Sequence, residues 1–157
     1  MKFSFTNLTK QKGEEKLDDK SVLFVCVENA GRSQMAEGFF RRYAPRGYMT
    51  LSAGTKPSRD INPLAIKVMK EVGIDISNQK SKDITEDMMR NSAKIVNMGC
   101  MDKSFCPTLF FPHLIDWRIE DPKGKPIEKV REIRDDIDRK VRQLAAELAK
   151  DSMQANL

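Results

Sequence analysis

Val22-Leu23-Phe24-Val25-Cys26-Val27-Glu28-Asn29-Ala30-Gly31-Arg32-Ser33 changes character halfway along its length. Residues 21 to 27, SVLFVCV, are apolar from Val22 onward and rich in β-branched side chains, which predicts a strand buried on both faces. The chain after Gly31, RSQMAEGFFRRYA, spaces Met35, Phe39 and Phe40 as one face of a helix. Strand, turn and helix thus meet within one short stretch, and the turn carries Cys26 at one end and Arg32 at the other.

Working outward, the alternation continues. YMTLSAGT (48–55) reads as a second strand, and NPLAIKVMKEVGI (62–74) as a helix with Leu64, Val68, Met69 and Val72 on one face. A short helix is expected after Asp83 or Thr85, then a third strand in AKIVNMG (93–99) and a fourth in HLIDW (113–117). A long helix follows Pro126, with Ile127, Val130, Ile133, Ile137, Val141, Leu144 and Leu148 at steps of three and four. Alternating strands and helices imply an α/β fold, a parallel sheet with helices on both faces and a ligand site beyond the carboxyl ends of the strands. Cys26 and the loops after Met98 and Trp117 all fall at such ends.

The 157 residues suit one domain: a polar arm at 1–20, the folded domain at 21–150 and a tail at 151–157. The chain is 39% hydrophobic and 32% charged, and it holds no apolar run of the roughly 18 to 20 residues that a membrane helix needs. The arm lacks the apolar core of a secretory signal, so a cytoplasmic protein is expected. A net charge of +5 comes from 28 basic and 23 acidic residues, mixed along the chain rather than gathered into a basic stripe. That argues against nucleic acid as partner and leaves small anions. Three cysteines, Cys26, Cys100 and Cys106, argue against a disulfide framework and for chemistry or simple burial.

The turn reads as C-x5-R between a strand and a helix. Backbone N–H groups of such a turn point inward, the helix N-terminus adds partial positive charge, and the guanidinium supplies a two-pronged donor. A tetrahedral oxyanion is the natural guest, held by residues Val27, Glu28, Asn29, Ala30, Gly31, Arg32 and Ser33. The same field favours a thiolate at Cys26. Ser33 is placed to donate to that sulfur, and Asn29 and Gly31 suit left-handed backbone. The plainer alternative makes Cys26 a small buried strand residue and Arg32 a surface charge; the strand before and the helix after weigh against it.

The run VLFVCVENAGRSQMAEGFF, with SAGT, SKDI and EDP downstream, resembles the low-molecular-weight protein tyrosine phosphatase superfamily, and most closely its thioredoxin-coupled arsenate reductase branch. The resemblance spans about residues 21 to 148. It implies a three-layer sandwich around a four-stranded parallel sheet, the phosphotyrosine phosphatase I-like fold. It gives Cys26 the role of nucleophile and Arg32 that of oxyanion binder, with Asn29 and Ser52 supporting the loop and Asp121 of the EDP sequence as general acid. No cofactor is required, but some members hold potassium, which the motif places at Asn29, Glu37, Ser52 and Asp83. Asp121 also fits an ordinary Asp-Pro loop, and Asp116, near a strand end, is its local rival.

Phosphatase and reductase share this cradle, so the other cysteines separate them. A phosphatase needs Cys26, an acid and water. A reductase must pass two electrons to arsenic: Cys100 attacks Cys26 once arsenate is bound, arsenite leaves, and Cys106 takes over the bond to present a disulfide to a thioredoxin-like reductant. Against this stand plain burial of Cys100 and Cys106, and a zinc site with His113 that would lack a fourth ligand. The Cys100–Cys106 interval is one residue shorter than in the best-known thioredoxin-coupled members. Lys123, Gly124 and Lys125 follow the Asp-Pro where phosphotyrosine phosphatases usually carry aromatic rings. Phe110, Phe111 and Trp117 are read as core before aromatic wall. Arsenate reduction is therefore the expected function, with a phosphatase or an oxyanion-binding or thiol-redox sensor as alternatives. Glu28, where relatives more often carry glycine or histidine, is expected at the rim, paired with a lysine or arginine.

Overall fold

A computed structural model describes residues 20–99 and 114–155. Strand β1 is Lys20–Cys26, β2 Tyr48–Gly54, β3 Lys94–Asn97 and β4 Leu114–Asp116; helix α1 is Arg32–Tyr43, α2 Pro63–Glu71, α3 Glu86–Asn91 and α4 Ile127–Ala155. The strands form one sheet in the order β2-β1-β3-β4, and every pairing is parallel. The chain steps from β1 outward to β2 and then crosses back to β3 on the other side of β1. That reversal opens a crevice at the carboxyl end of β1, where parallel sheets bind ligands.

Val22 to Cys26 are almost wholly buried because both sheet faces are covered. Val22, Phe24 and Cys26 face a large core built with Met35, Phe39 and Phe40 of α1, Val68 and Met69 of α2, and the apolar stripe of α4. Leu23 and Val25 face a smaller core with Ala53, Met89 and Ile95. Trp117 packs against Phe24, with ring centroids 6.0 Å apart, which is the core role expected for it.

The helix boundaries follow local chemistry. Asn62 caps α2 by accepting from the Leu64 N–H at 2.9 Å, with Pro63 in the first turn. Thr85 caps α3 through the Met88 N–H. Val72, expected on the apolar face of α2, instead ends that helix and is 36% exposed; Ala65 fills the buried position. The long helix runs to Ala155, past the tail boundary placed at residue 150, since nothing in its last turns breaks the helix.

Candidate oxyanion and thiol site

Residues 27–31 link β1 to α1, and their backbone polarity is sorted. Every carbonyl from Cys26 to Gly31 accepts a hydrogen bond from the surrounding fold. The Thr55 N–H donates to Cys26, Lys56 to Val27, Ser58 to Glu28, Asn62 to Ala30 and Met35 to Gly31. The Ser81 hydroxyl also donates to the Glu28 carbonyl, and Gln34 Nε2 to that of Asn29. The N–H groups of residues 27–33 have no acceptor among the described residues. With carbonyls drawn outward, the amides are left facing the concave side, the arrangement that binds anions. No side chain caps α1, so its first-turn amides add to the same field.

The side chains converge on that concavity. Cys26 Sγ lies 2.9 Å from Ser33 Oγ, and Asn29 Nδ2 donates to Ser33 Oγ at 2.7 Å. The orientation of Asn29 is fixed because its Oδ1 accepts from the Lys82 N–H at 2.8 Å and from Gln34 Nε2 at 3.0 Å. Ser33 Oγ thus accepts from Asn29 and lies within hydrogen-bond distance of the Cys26 sulfur, where either atom can be the donor; toward a thiolate only the hydroxyl can donate. Asn29 has φ +50°, the left-handed conformation expected of it. Gly31 does not share it: its φ is −131°. Its small size matters instead, because a Cβ there would lie 3.0 Å from Pro122 Cγ.

Arg32 is only 9% exposed. Its Nη1 donates to the carbonyls of Met98 at 3.0 Å and Ile119 at 3.2 Å, and Nη2 lies 3.6 Å from Asp121 Oδ2. The loops after β3 and β4 therefore meet the β1 loop as anticipated. Of the two rival carboxylates, Asp121 reaches Arg32, whereas Asp116 faces Asn97 at 3.4 Å. Glu28 sits at the rim and pairs with Lys123 Nζ at 2.8 Å, and the glutamate raises the Lys123 pKa through that hydrogen bond and its charge. The pair spans an open cavity of about 500 Å³ lined also by Gly31, Asp60, Asn62 and Asp121.

Of the four side chains implied for potassium, those of Glu37, Ser52 and Asn29 already have partners within the chain. Ser52 Oγ donates to Glu37 Oε1 at 2.5 Å, Arg41 Nη2 holds Glu37 Oε2 at 2.7 Å, and Lys82 Nζ lies 3.8 Å from Oε1. Asn29 Oδ1 has its two donors, and Asp83 is exposed, its backbone bridged to Gly54. Burial pushes the Lys82 ammonium below the usual lysine range, and Glu37 opposes that shift. The Glu37 carboxylate is thus already matched by two cationic side chains, Arg41 and Lys82, at the place where the resemblance puts potassium.

Several supporting residues escape sequence reasoning: Gln34, Ser81, Lys82, Gly54 and Gly99. Apart from the bonds of Gln34 to Asn29, their contacts are long-range, so no local pattern marks them. Gly54 and Gly99 carry a faint signal, each a glycine closing a strand; a Cβ at Gly54 would meet the Val27 carbonyl at 2.5 Å, and one at Gly99 would strike Arg32 Nη1. Cys100, Cys106, Phe110, Phe111 and His113 lie outside the described residues.

Comparison with known proteins agrees with this geometry. An arsenate reductase of Staphylococcus aureus (strain Newman) is 39% identical over 122 residues, covering 75% of this chain and 90% of that protein. The thioredoxin-dependent arsenate reductase of Corynebacterium glutamicum superposes with a TM-score of 0.68 at 35% identity, over 89% of this chain and 64% of that one. An arsenate reductase in the phosphate binding state superposes with a TM-score of 0.70 at 34% identity, over 82% of this chain and 98% of that one. The family model of the low molecular weight phosphotyrosine protein phosphatases matches residues 21–154, and the chain belongs to that family.

Proposed function

We propose that the protein is a thiol-dependent arsenate reductase. The observation that carries the reading is the loop itself: outward-bonded carbonyls, a buried arginine and a cysteine whose sulfur lies 2.9 Å from a hydroxyl. Arsenate is favoured over a phosphate ester because relatives at 35–39% identity bear the name arsenate reductase and because two further cysteines follow β3.

In this reading the inward amides and Arg32 bind the arsenate oxygens, and Cys26 Sγ attacks arsenic while Asp121 protonates the departing oxygen. Arg32, held between the Met98 and Ile119 carbonyls, meets the oxyanion without first ordering a flexible side chain. Cys100 then attacks Cys26 Sγ; the S–As bond breaks, its electron pair stays on arsenic, and arsenite leaves. The two thiols have become a disulfide, and arsenic has gained two electrons. Cys106 attacks Cys100, returning Cys26 as a thiolate, and a thioredoxin-like dithiol reduces the Cys100–Cys106 bond. Such a cycle suits the reducing cytoplasm; among the described residues no helix is long and apolar enough to cross a membrane.

The test assays purified protein with arsenate plus thioredoxin, and with an aryl phosphate, for the wild type and the serine variants of Cys26, Cys100 and Cys106. The reductase reading expects all three variants to lose arsenate turnover and only Cys26→Ser to lose phosphatase activity. Arsenate turnover that survives Cys106→Ser sinks the three-thiol relay. Loss of activity confined to Cys26→Ser makes the protein a phosphatase, and inertness in both assays with retained phosphate binding makes it a sensor.

A further inference from the structure

The buried carboxylate of Glu37 lies behind the loop, 7% exposed, where a family resemblance puts a monovalent cation. Two cationic side chains of this chain face it: Arg41 Nη2 at 2.7 Å from Oε2 and Lys82 Nζ at 3.8 Å from Oε1. A single negative charge already met by two positive ones offers no net attraction to a third. The two cations are not equivalent. Arg41 is more than half exposed and lies one helical turn from Glu37, an arrangement common on any helix surface. Lys82 is two-thirds covered and comes from a segment that builds the loop. Its own N–H fixes Asn29, its neighbour Ser81 holds the Glu28 carbonyl, and the Lys82 carbonyl takes the Gly54 N–H. The ammonium therefore sits at a junction of Glu37, which orders Ser52, and the backbone that orders Asn29.

We propose that Lys82 is a positioning residue that supplies, from within the chain, the positive charge that a bound monovalent cation would otherwise bring to Glu37, so that this oxyanion loop is independent of potassium. The inference rests on the reading of the loop as an oxyanion site, and not on which reaction that site performs.

Inorganic phosphate is the probe, titrated calorimetrically into the full-length protein at constant ionic strength in potassium chloride and in tetramethylammonium chloride. For the wild type the two affinities are expected to agree within about twofold. Lys82→Ser keeps the backbone N–H on Asn29 but removes the ammonium; it should weaken phosphate several-fold in tetramethylammonium, and potassium or the Lys82→Arg replacement should restore it. Potassium rescue is a readout that a purely structural role would not give. Wild-type affinity that depends on potassium overturns the proposal, and that arm needs no variant to fold. So does an unaltered Lys82→Ser, or a loss that neither potassium nor arginine repairs. Wild-type protein that fails to bind phosphate at all in either salt would instead remove the oxyanion reading on which the inference stands.

Discussion

Ser33 is where the nucleophile and the loop frame join, since its hydroxyl accepts from Asn29 and pairs with the Cys26 sulfur, to which it donates once that sulfur is a thiolate. Ser33→Ala removes the one side-chain hydrogen-bond partner of that sulfur among the described residues, and a hydrogen bond to the thiolate worth about 1.4 kcal/mol corresponds to about tenfold in rate. We expect that loss in the rate of Cys26 alkylation at neutral pH, with phosphate affinity changed much less; equal losses in both would mean that the loop had collapsed. Glu28 offsets the charge of Lys123 at the mouth, and both are exposed. Glu28→Gln should therefore strengthen phosphate binding about twofold, an effect that fades as salt is raised; unchanged or weaker binding in titration would retire the idea. Gly99 has φ +130°, and a Cβ there would strike Arg32. Gly99→Ala should weaken phosphate at least about tenfold, since a guanidinium driven from its carbonyl cradle loses its bidentate geometry; unchanged calorimetric affinity would show that Arg32 needs no such floor. Sequence pattern pointed to glycine at 31 for its conformational freedom, yet the constraint there is closeness to Pro122, a residue far along the chain.

At the scale of elements, caps and periodicity were readable because they act within a few residues. Asn62 before Pro63 and Thr85 before Glu86 start their helices through bonds that span two or three positions. Asn62→Ala should cost about 1 kcal/mol in urea unfolding and leave phosphate binding intact, because the Asn62 N–H, not its side chain, holds the Ala30 carbonyl. A loss of phosphate affinity would show that α2 positions the loop through its cap. Val72 shows where periodicity fails. It follows the helical face by spacing, but α2 ends one residue earlier, with Gly73 at φ +82° turning the chain away. The stripe of α4 held throughout because an apolar face that long has one core to cover.

Across the whole molecule, α2 and α4 are latched by Glu71, whose carboxylate accepts from Arg131 at 2.8 Å and from the buried Arg134 at 2.8 Å. The hydrogen bond from Arg131 is the main cause holding the Glu71 carboxyl below its usual value of 4.5, with Arg134 adding to it. The depressed folded value means that this contribution is fully present above pH 4.5 and disappears as pH falls through the folded value. Glu71→Gln should accordingly lower the thermal midpoint modestly at pH 7, and the gap from wild type should close in acid. A gap that never narrows as the pH is taken down from 4.5 to the limit of the folded range would assign the latch to packing rather than charge. The alternation of strand and helix, the cysteine at a strand end and the arginine at a helix start were determined by the sequence alone, because burial patterns and turn chemistry are local. Only the tertiary structure decided that Asp121 and not Asp116 reaches Arg32, that Glu28 meets Lys123, and that Glu37 faces Lys82. Each of those pairings joins segments brought together by the order of the strands in the sheet, and the sign and distance of such charges exist only once that order is set.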